Sequence, residues 1–155
     1  MCSPSRAQLL TGRHGFRNGI GRGIGAEHDL GLRVDIEELL PRVLDGYDSS
    51  AVGKWHLLCF DNGTVNHPLD AGFGYYAGSL FNLDERSPRS EVCRPLGPLG
   101  KPLPLTYTNW LKTYDATGSG QLSSACTQTY ATTDTADEGL LRARCMRAPW
   151  FLYVA

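Results

Sequence analysis

The sequence predicts an α/β fold built around a layered, largely parallel sheet. A helix pattern followed by a strand pattern occurs twice, within residues 35–58 and again within residues 133–155, and this alternation is typical of α/β folds. Between the two pairs, residues 59–128 are rich in Gly, Pro, Ser and aromatic residues, which predicts a long loop-rich excursion. The 18 Gly and 9 Pro among 155 residues also favour a loop-rich fold over a helical bundle.

The first predicted element is a short helix of about two turns near the start of the chain. Ser3 suits the N-cap, Pro4 suits the first helical position and Gly12 suits the exit from the helix. The glycines between positions 15 and 25 then predict a loop. Their alternate spacing differs from the G-x-G-x-x-G pattern of nucleotide-binding turns, so no nucleotide site is predicted there.

A second helix is predicted after Asp35, followed by a strand over residues 49–58. Five apolar residues recur at helical spacing and predict one buried face: Ile36, Leu39, Leu40, Val43 and Leu44. Pro41 lacks a backbone N–H, so the regular helix is expected to begin there. Gly46 is expected to end it.

The later part of the chain predicts a hairpin around Tyr107–Tyr114, a helix over Thr133–Cys145 and an apolar strand over Trp150–Ala155. Several aromatic residues fit either core packing or a cleft for a sugar or aryl group, with core packing favoured. These residues are Tyr75, Tyr76, Phe81, Tyr107 and Trp110.

Composition excludes several classes of protein. The net charge of −1 creates no global field for nucleic acid or anionic lipid, and no apolar run is long enough to span a membrane. The chain opens without a signal-peptide pattern, and its compartment stays open. Five cysteines without Cys-x-x-Cys spacing indicate neither a disulfide framework nor a zinc site. Two interpretations remain open for the other four cysteines: they form disulfides, or they are buried free thiols. These residues are Cys59, Cys93, Cys126 and Cys145.

Cys2 and Arg6 form the first candidate pair of site residues. They are four residues apart, so in a helix they lie on one face and the guanidinium can reach over the cysteine side chain. The helix N-terminus also favours an anion. This pattern suits a sulfur or phosphorus oxyanion, whereas the simpler interpretation is a buried thiol beside a surface arginine.

Lys54 and His56 form the second candidate pair. In a strand their side chains point to one face and Trp55 points to the other. A fixed cation beside an imidazole suits ester cleavage, because the cation neutralises the transferring oxyanion and the imidazole exchanges a proton. A solvated lysine and a hydrogen-bonded structural histidine are the alternative interpretation.

Together the two segments resemble the formylglycine-dependent, arylsulfatase-like sulfatases of the alkaline phosphatase superfamily. The first resemblance is Cys2-Ser3-Pro4-Ser5-Arg6 with the following Leu10-Thr11-Gly12-Arg13, and the second is Gly46-Tyr47 followed by Gly53-Lys54-Trp55-His56-Leu57. Weaker similarity covers most of the remaining chain. The resemblance implies a layered, mostly parallel sheet with helices on both faces. It divides the chain into a nucleophile segment (1–58), the excursion (59–128) and a helix–strand unit (129–155).

The resemblance also implies a chemistry. In this family a dedicated formylglycine-generating enzyme oxidises the signature cysteine to an aldehyde, whose hydrate attacks sulfate esters. Carried over, Cys2 is the precursor of the nucleophile and Arg6 holds the hydrate. Lys54 and His56 are the substrate-binding residues, with Lys54 on the sulfate oxygens and His56 on the hydrate.

A divalent cation, usually Ca²⁺, is expected against the hydrate in the full-length enzyme. Cys2, as formylglycine, is the metal ligand that this chain supplies. The family's Asp-Asp pair, Asp-Asn pair and later lysine have no counterpart here, and Asp61-Asn62 is not in the family's order. We therefore expect residues 1–155 to be an incomplete sulfatase catalytic domain, inactive alone, whose missing first strand leaves apolar surface open. The expected partners are a small-molecule or carbohydrate sulfate ester and the formylglycine-generating enzyme.

The residues also suggest three alternatives to a sulfatase. A phosphonate monoester hydrolase or phosphodiesterase of the same superfamily fits the motifs equally well, because both centres are tetrahedral oxyanions. A non-catalytic pseudoenzyme could keep the motifs as packing. A thiolate phosphatase is disfavoured, because its Cys-x5-Arg spacing differs from that of Cys2 and Arg6.

Overall fold

A computed structural model describes residues 2–25, 31–59, 63–83, 93–94, 99–101 and 106–155. Its helices are α1 (Cys2–Thr11), α2 (Gly15–Asn18), α3 (Leu40–Val43), α4 (His67–Asp70) and α5 (Ala131–Cys145). Its strands are β1 (Asp48–Val52), β2 (Tyr75–Gly78), β3 (Trp110–Tyr114), β4 (Ser123–Thr127) and β5 (Trp150–Val154). The predicted first helix, last helix and last strand are confirmed. Asp61-Asn62 and much of the excursion lie outside the described residues.

The five described strands form one mixed sheet in the order β4-β3-β2-β1-β5. Strand β1 pairs in parallel with both β2 and β5, whereas the pairings of β2 with β3 and of β3 with β4 are antiparallel. The α/β prediction is confirmed, but the sheet is not mostly parallel. The difference arises because the excursion adds a β3–β4 hairpin to one edge, C-terminal to the position predicted for it.

Helices cover both faces of the sheet. Helix α5 packs on the face that carries Val52 and Val154, since a Cβ built on Gly139 would lie 3.6 Å and 3.7 Å from their methyl carbons. Helix α1 lies on the opposite face, where Arg6 hydrogen-bonds the hydroxyl of Tyr153. The two helices therefore enclose the parallel part of the sheet, as the resemblance implied.

The main hydrophobic core lies under α1. Its largest fully buried side chains include Trp55, Tyr76, Leu10, Leu39, Leu57 and Leu58. The indole of Trp55 meets Phe73 and Tyr76 edge to face, with ring centroids 6.0 Å and 6.2 Å apart, a favoured aromatic geometry. Strand β5 forms one edge of the described sheet and leaves Trp150 and Val154 largely exposed.

The predicted second helix is reduced to the single turn α3. Leu39 is fully buried but extended, whereas Ile36 and Val43 are 67% and 57% exposed. The predicted apolar face is therefore wrong at these two positions. The helix begins next to Pro41 as expected, because proline suits a first turn and opposes an interior position.

The predicted strand over residues 49–58 is wrong beyond Val52. Gly53 adopts φ +93° and His56 adopts φ +52°, both outside the strand region. Residues 53–58 therefore form an irregular segment, which we call the site loop. Its backbone is still held by the residues that directly follow β2 and β5. The N–H groups of Lys54, Trp55 and His56 donate to the carbonyls of residues 155, 79 and 80.

The cysteines divide into one disulfide and three free thiols. Cys93 and Cys126 are bonded, with their Cα atoms 5.2 Å apart, which settles for this pair the choice that the sequence left open. Cys59 is a buried thiol and Cys145 an exposed one. Spacing alone could not decide this pairing, because a disulfide depends on proximity in the fold.

None of the described helices is long and apolar enough to cross a membrane.

Candidate active site

The candidate site lies where the carboxyl end of β1 meets the first turn of α1. Cys2 is the first residue of α1 and Arg6 follows it by one turn. Lys54 and His56 lie on the site loop directly after β1. In open α/β sheets, ligand sites form outside the carboxyl ends of the strands, and these four residues occupy that position.

Cys2 and His56 are in direct contact. The Cys2 Sγ atom lies 3.1 Å from His56 Nδ1, and His56 is only 2% exposed. Its other ring nitrogen, Nε2, lies 2.8 Å from the carbonyl oxygen of Ile24. A carbonyl can only accept a hydrogen bond, so Nε2 carries a proton and donates to it, and Nδ1 is the ring nitrogen that faces Cys2.

Lys54 also reaches Cys2 and changes its acidity. Burial by itself raises the pKa of the Cys2 thiol, but the Lys54 charge and hydrogen bonds from Ser3 and Lys54 stabilise the thiolate. Together they lower the pKa below its ordinary value. The Lys54 ammonium also donates to the side-chain oxygen of Asn82, just after β2. The structure thus brings Lys54 and His56 together around Cys2.

Lys54 and His56 face the same way for a reason other than the one predicted. Strand alternation cannot act beyond Val52, where β1 ends. The positive φ of His56 turns the site loop instead. Trp55, between them, is fully buried in the core.

Arg6 lies in the site but bonds differently from the expectation. Its Nη1 donates to the Lys54 backbone carbonyl at 2.7 Å and to the Tyr153 hydroxyl at 3.0 Å. Its Nε is buried and has no hydrogen-bond partner among the described residues. Arg6 therefore ties α1 to the site loop and to β5, while its Nε remains a free donor beside the site. Whether it holds a hydrate stays a prediction.

Sequence reasoning missed Asn82, Tyr153 and Ile24 as neighbours of the site. Asn82 follows β2 inside the loop-rich excursion, where no motif marks it. Tyr153 lies in the correctly predicted last strand, but the period of that strand does not reveal its hydrogen bond to Arg6. Ile24 acts through its carbonyl, which no side-chain pattern signals.

A cavity of about 550 Å³ opens beside Lys54. Its walls are mainly apolar and come from the ends of β2 and β5, the start of α5 and the loop before β3. They include Lys54, Asn82, Tyr107, Trp110, Thr135 and Val154. Of the aromatic residues with two interpretations, Tyr107 and Trp110 line this cavity, whereas Tyr76 belongs to the core.

The described residues do not make a complete cation site. Among them, no group of three or more His, Cys, Asp or Glu side chains could hold a metal ion. Calcium takes six to eight oxygen ligands, and a hydrated formylglycine at Cys2 would supply only a part of that shell.

The sequence model of the Sulfatase family matches residues 1–155, which is the whole chain. The chain belongs to the sulfatase family. Arylsulfatase G of mouse is 45% identical to it over 85 residues, covering 54% of this chain and 15% of the relative. Human N-acetylgalactosamine-6-sulfatase is 42% identical over 88 residues, covering 51% of this chain and 16% of the relative. These matches thus span about one-sixth of the relatives' length.

Solved structures support the fold of this sulfatase chain. The crystal structure of Ps i-CgsB superposes with a TM-score of 0.68 at 21% identity, covering all of this chain and 34% of that one. A structure from work on the metabolism of multiple glycosaminoglycans by Bacteroides thetaiotaomicron gives a TM-score of 0.63 at 16% identity, covering all of this chain and 32% of that one. At these identities the likeness concerns the fold alone.

Proposed function

We propose that this sulfatase chain carries the nucleophile of a sulfuric ester hydrolase, with Cys2 as the precursor of a formylglycine. One observation carries the proposal: the Cys2 sulfur lies 3.1 Å from His56 Nδ1 and within hydrogen-bond reach of Lys54. A nucleophile, an imidazole and an ammonium from segments more than fifty residues apart converge there. Family membership supports the assignment, as do the names of relatives that act on sulfate esters.

The proposed reaction begins once the Cys2 side chain has been oxidised to an aldehyde and hydrated. One hydroxyl loses its proton as its oxygen forms a bond to the ester sulfur, and the bond between that sulfur and the alcohol oxygen breaks. The alcohol oxygen leaves with the electron pair and takes up one proton, so the proton released by the hydroxyl and the one gained by the alcohol balance. The second hydroxyl then loses its proton and the carbon–oxygen bond to sulfate breaks, so sulfate departs and the aldehyde returns.

Two residues are suited to the charge and the proton in this reaction. Lys54 places a positive charge where sulfate oxygens would lie, and that charge stabilises the developing negative charge. His56 directs its Nδ1 at the Cys2 side chain, the position from which a neutral imidazole removes the proton of the second hydroxyl. Because the His56 Nε2–H donates to the Ile24 carbonyl, Nδ1 is the ring nitrogen left to accept that proton.

The test uses the full-length protein that contains this chain, co-expressed with a formylglycine-generating enzyme. Mass spectrometry of the Cys2 peptide reports conversion, and turnover of an aryl sulfate and an aryl phosphonate is measured side by side. We expect conversion and preferential turnover of the sulfate, both lost in Cys2→Ala. Preference for the phosphonate would favour the phosphonate hydrolase alternative, and an unconverted Cys2 with no turnover would favour the pseudoenzyme.

A further inference from the structure

A buried histidine outside both sequence motifs holds the tryptophan at the centre of the site loop. His67, in α4, is 8% exposed. Its Nδ1 accepts a 2.9 Å hydrogen bond from the indole Nε1 of Trp55. Its Nε2 lies 3.0 Å from the carbonyl oxygen of Leu32. Both ring nitrogens of His67 are therefore engaged inside the core.

These two contacts are compatible with one form of the imidazole. An indole N–H can only donate, so Nδ1 must keep its lone pair. A carbonyl can only accept, so Nε2 must carry the proton. The neutral Nε2–H form satisfies both partners. A second proton on Nδ1 would face the indole N–H of Trp55 and abolish that hydrogen bond.

We call the two hydrogen bonds of His67, with Trp55 and with Leu32, the clamp. Trp55 connects the clamp to the site. Lys54 and His56, which surround Cys2, are its immediate neighbours in the chain. The segment around Leu32 is fastened to the same loop, because the Leu32 N–H donates to the Leu57 carbonyl at 2.9 Å. Three hydrogen bonds therefore form a closed loop with the chain between Trp55 and Leu57. They join Trp55 to His67, His67 to Leu32, and Leu32 to Leu57.

We propose that neutral His67 is a positioning residue, which holds Trp55 so that Lys54 and His56 stay directed at Cys2, and that its protonation loosens this hold. The proposal rests on the proposed function in that it concerns the same site. His67 touches neither the nucleophile nor a reacting atom, and it acts through Trp55.

The surroundings of His67 oppose its protonation. Burial lowers its pKa below the ordinary value, against smaller opposing effects of the Leu32 carbonyl and the Asp70 carboxylate. The charged and titratable groups on the elements around it are Asp70 on the same helix, Arg33 and Asp35 beside Leu32, and Lys54 and His56 on the site loop. Arg33 and Asp35 pair with each other at the surface. The clamp is therefore intact near neutral pH and loosens as the solution becomes acidic.

The experiment reads the site through the thiol of Cys2 in the 155-residue chain, before any conversion to formylglycine. The rate of Cys2 alkylation by iodoacetamide is followed between pH 5 and 8 by mass spectrometry of its peptide, which separates it from Cys59 and Cys145. His67→Gln keeps one acceptor and one donor but does not titrate. His67→Leu and Trp55→Phe each remove the indole bond.

At pH 7.5 we expect His67→Gln to react like the wild type. His67→Leu and Trp55→Phe should react about threefold to tenfold more slowly, because loss of the Lys54 contact raises the pKa of Cys2 by about half to one unit. Below pH 6.5 the wild-type rate should fall increasingly below that of His67→Gln. The double variant His67→Leu/Trp55→Phe should be no slower than either single one.

Wild-type and His67→Gln rates in constant ratio across the pH range would overturn the proposal, even if His67→Leu fails to fold. So would a His67→Gln variant as slow as Trp55→Phe at pH 7.5. Because Cys2 stays a thiol throughout, failure of the full-length protein to hydrolyse a sulfate ester would not change these outcomes.

Discussion

The guanidinium of Arg6 donates a 2.7 Å hydrogen bond to the backbone carbonyl of Lys54, 48 residues further along the chain. The same nitrogen donates to the Tyr153 hydroxyl at 3.0 Å. One side chain therefore fastens the helix that begins at Cys2 to the loop that carries Lys54 and to the last strand. Arg6 thus has a structural role as well as the chemical one expected of it.

Removing or altering the hydrogen bonds of the Arg6 guanidinium should lower the stability of the folded chain. Tyr153→Phe removes one hydrogen bond and should lower the free energy of unfolding by about 1 kcal/mol. Arg6→Lys loses the planar fork and should cost about 1–3 kcal/mol, because it leaves buried acceptors without a donor. Urea unfolding measures both, with the exposed Arg144→Lys as the matched control. Equal stability of Arg6→Lys and Arg144→Lys would contradict the assignment.

Removing the charge of Lys54 should make Cys2 less acidic. The Lys54 charge and its hydrogen bond favour the Cys2 thiolate, so Lys54→Gln should raise the pKa of Cys2. A higher pKa means less thiolate at a given pH, hence slower alkylation at neutral pH. The pH dependence of the rate at the Cys2 peptide measures the shift, and Lys101→Gln, at an exposed lysine, is the control. An unchanged Cys2 profile in Lys54→Gln would show that the charge does not act on the thiol.

Gly53 should be irreplaceable at the start of the site loop. It adopts φ +93°, and a Cβ there would lie 2.0 Å from the Ala155 carbonyl oxygen. Gly53→Ala should therefore cost more than about 3 kcal/mol, since the backbone at Ala155 or at residue 53 must move to relieve the contact. Gly118 also has a positive φ, +70°, but nothing within 4 Å, so Gly118→Ala should cost about 1–2 kcal/mol from backbone conformation alone. Chemical denaturation of the two variants separates steric conflict from strain.

Reduction of the Cys93–Cys126 disulfide should destabilise the chain. The bond spans 33 residues, and opening it frees the unfolded chain, with a cost of about 2–4 kcal/mol. Thermal unfolding with and without reductant should show a lower midpoint in the reduced protein, and Cys93→Ser should reproduce that shift in either condition. Cys145→Ser, at an exposed free thiol, should respond to reductant like the wild type. Insensitivity of the wild type to reductant would contradict this expectation.

Sequence patterns predicted some elements better than others for physical reasons. The terminal helices and the last strand were correct, because periodicity and apolar runs are local properties, although Ser3 lies inside α1 rather than at its N-cap. The strand expected through residues 49–58 stops at Val52, because Gly53 takes a positive φ against the Ala155 carbonyl. The second helix shrank to one turn, since Ile36 and Val43 face solvent rather than a buried layer. These outcomes depend on neighbours that are distant in the chain.

The family and the four candidate side chains could be predicted without the structure, because Cys2, Arg6, Lys54 and His56 lie in motifs whose order and spacing are read along the chain. The contacts among these four residues come from the folded chain. Three contacts join residues that are at least twelve positions apart in the chain. They are those of His56 with Cys2, of Arg6 with the Lys54 carbonyl and of His67 with Trp55. Such contacts arise when packing brings separate segments together, and no local spacing encodes them.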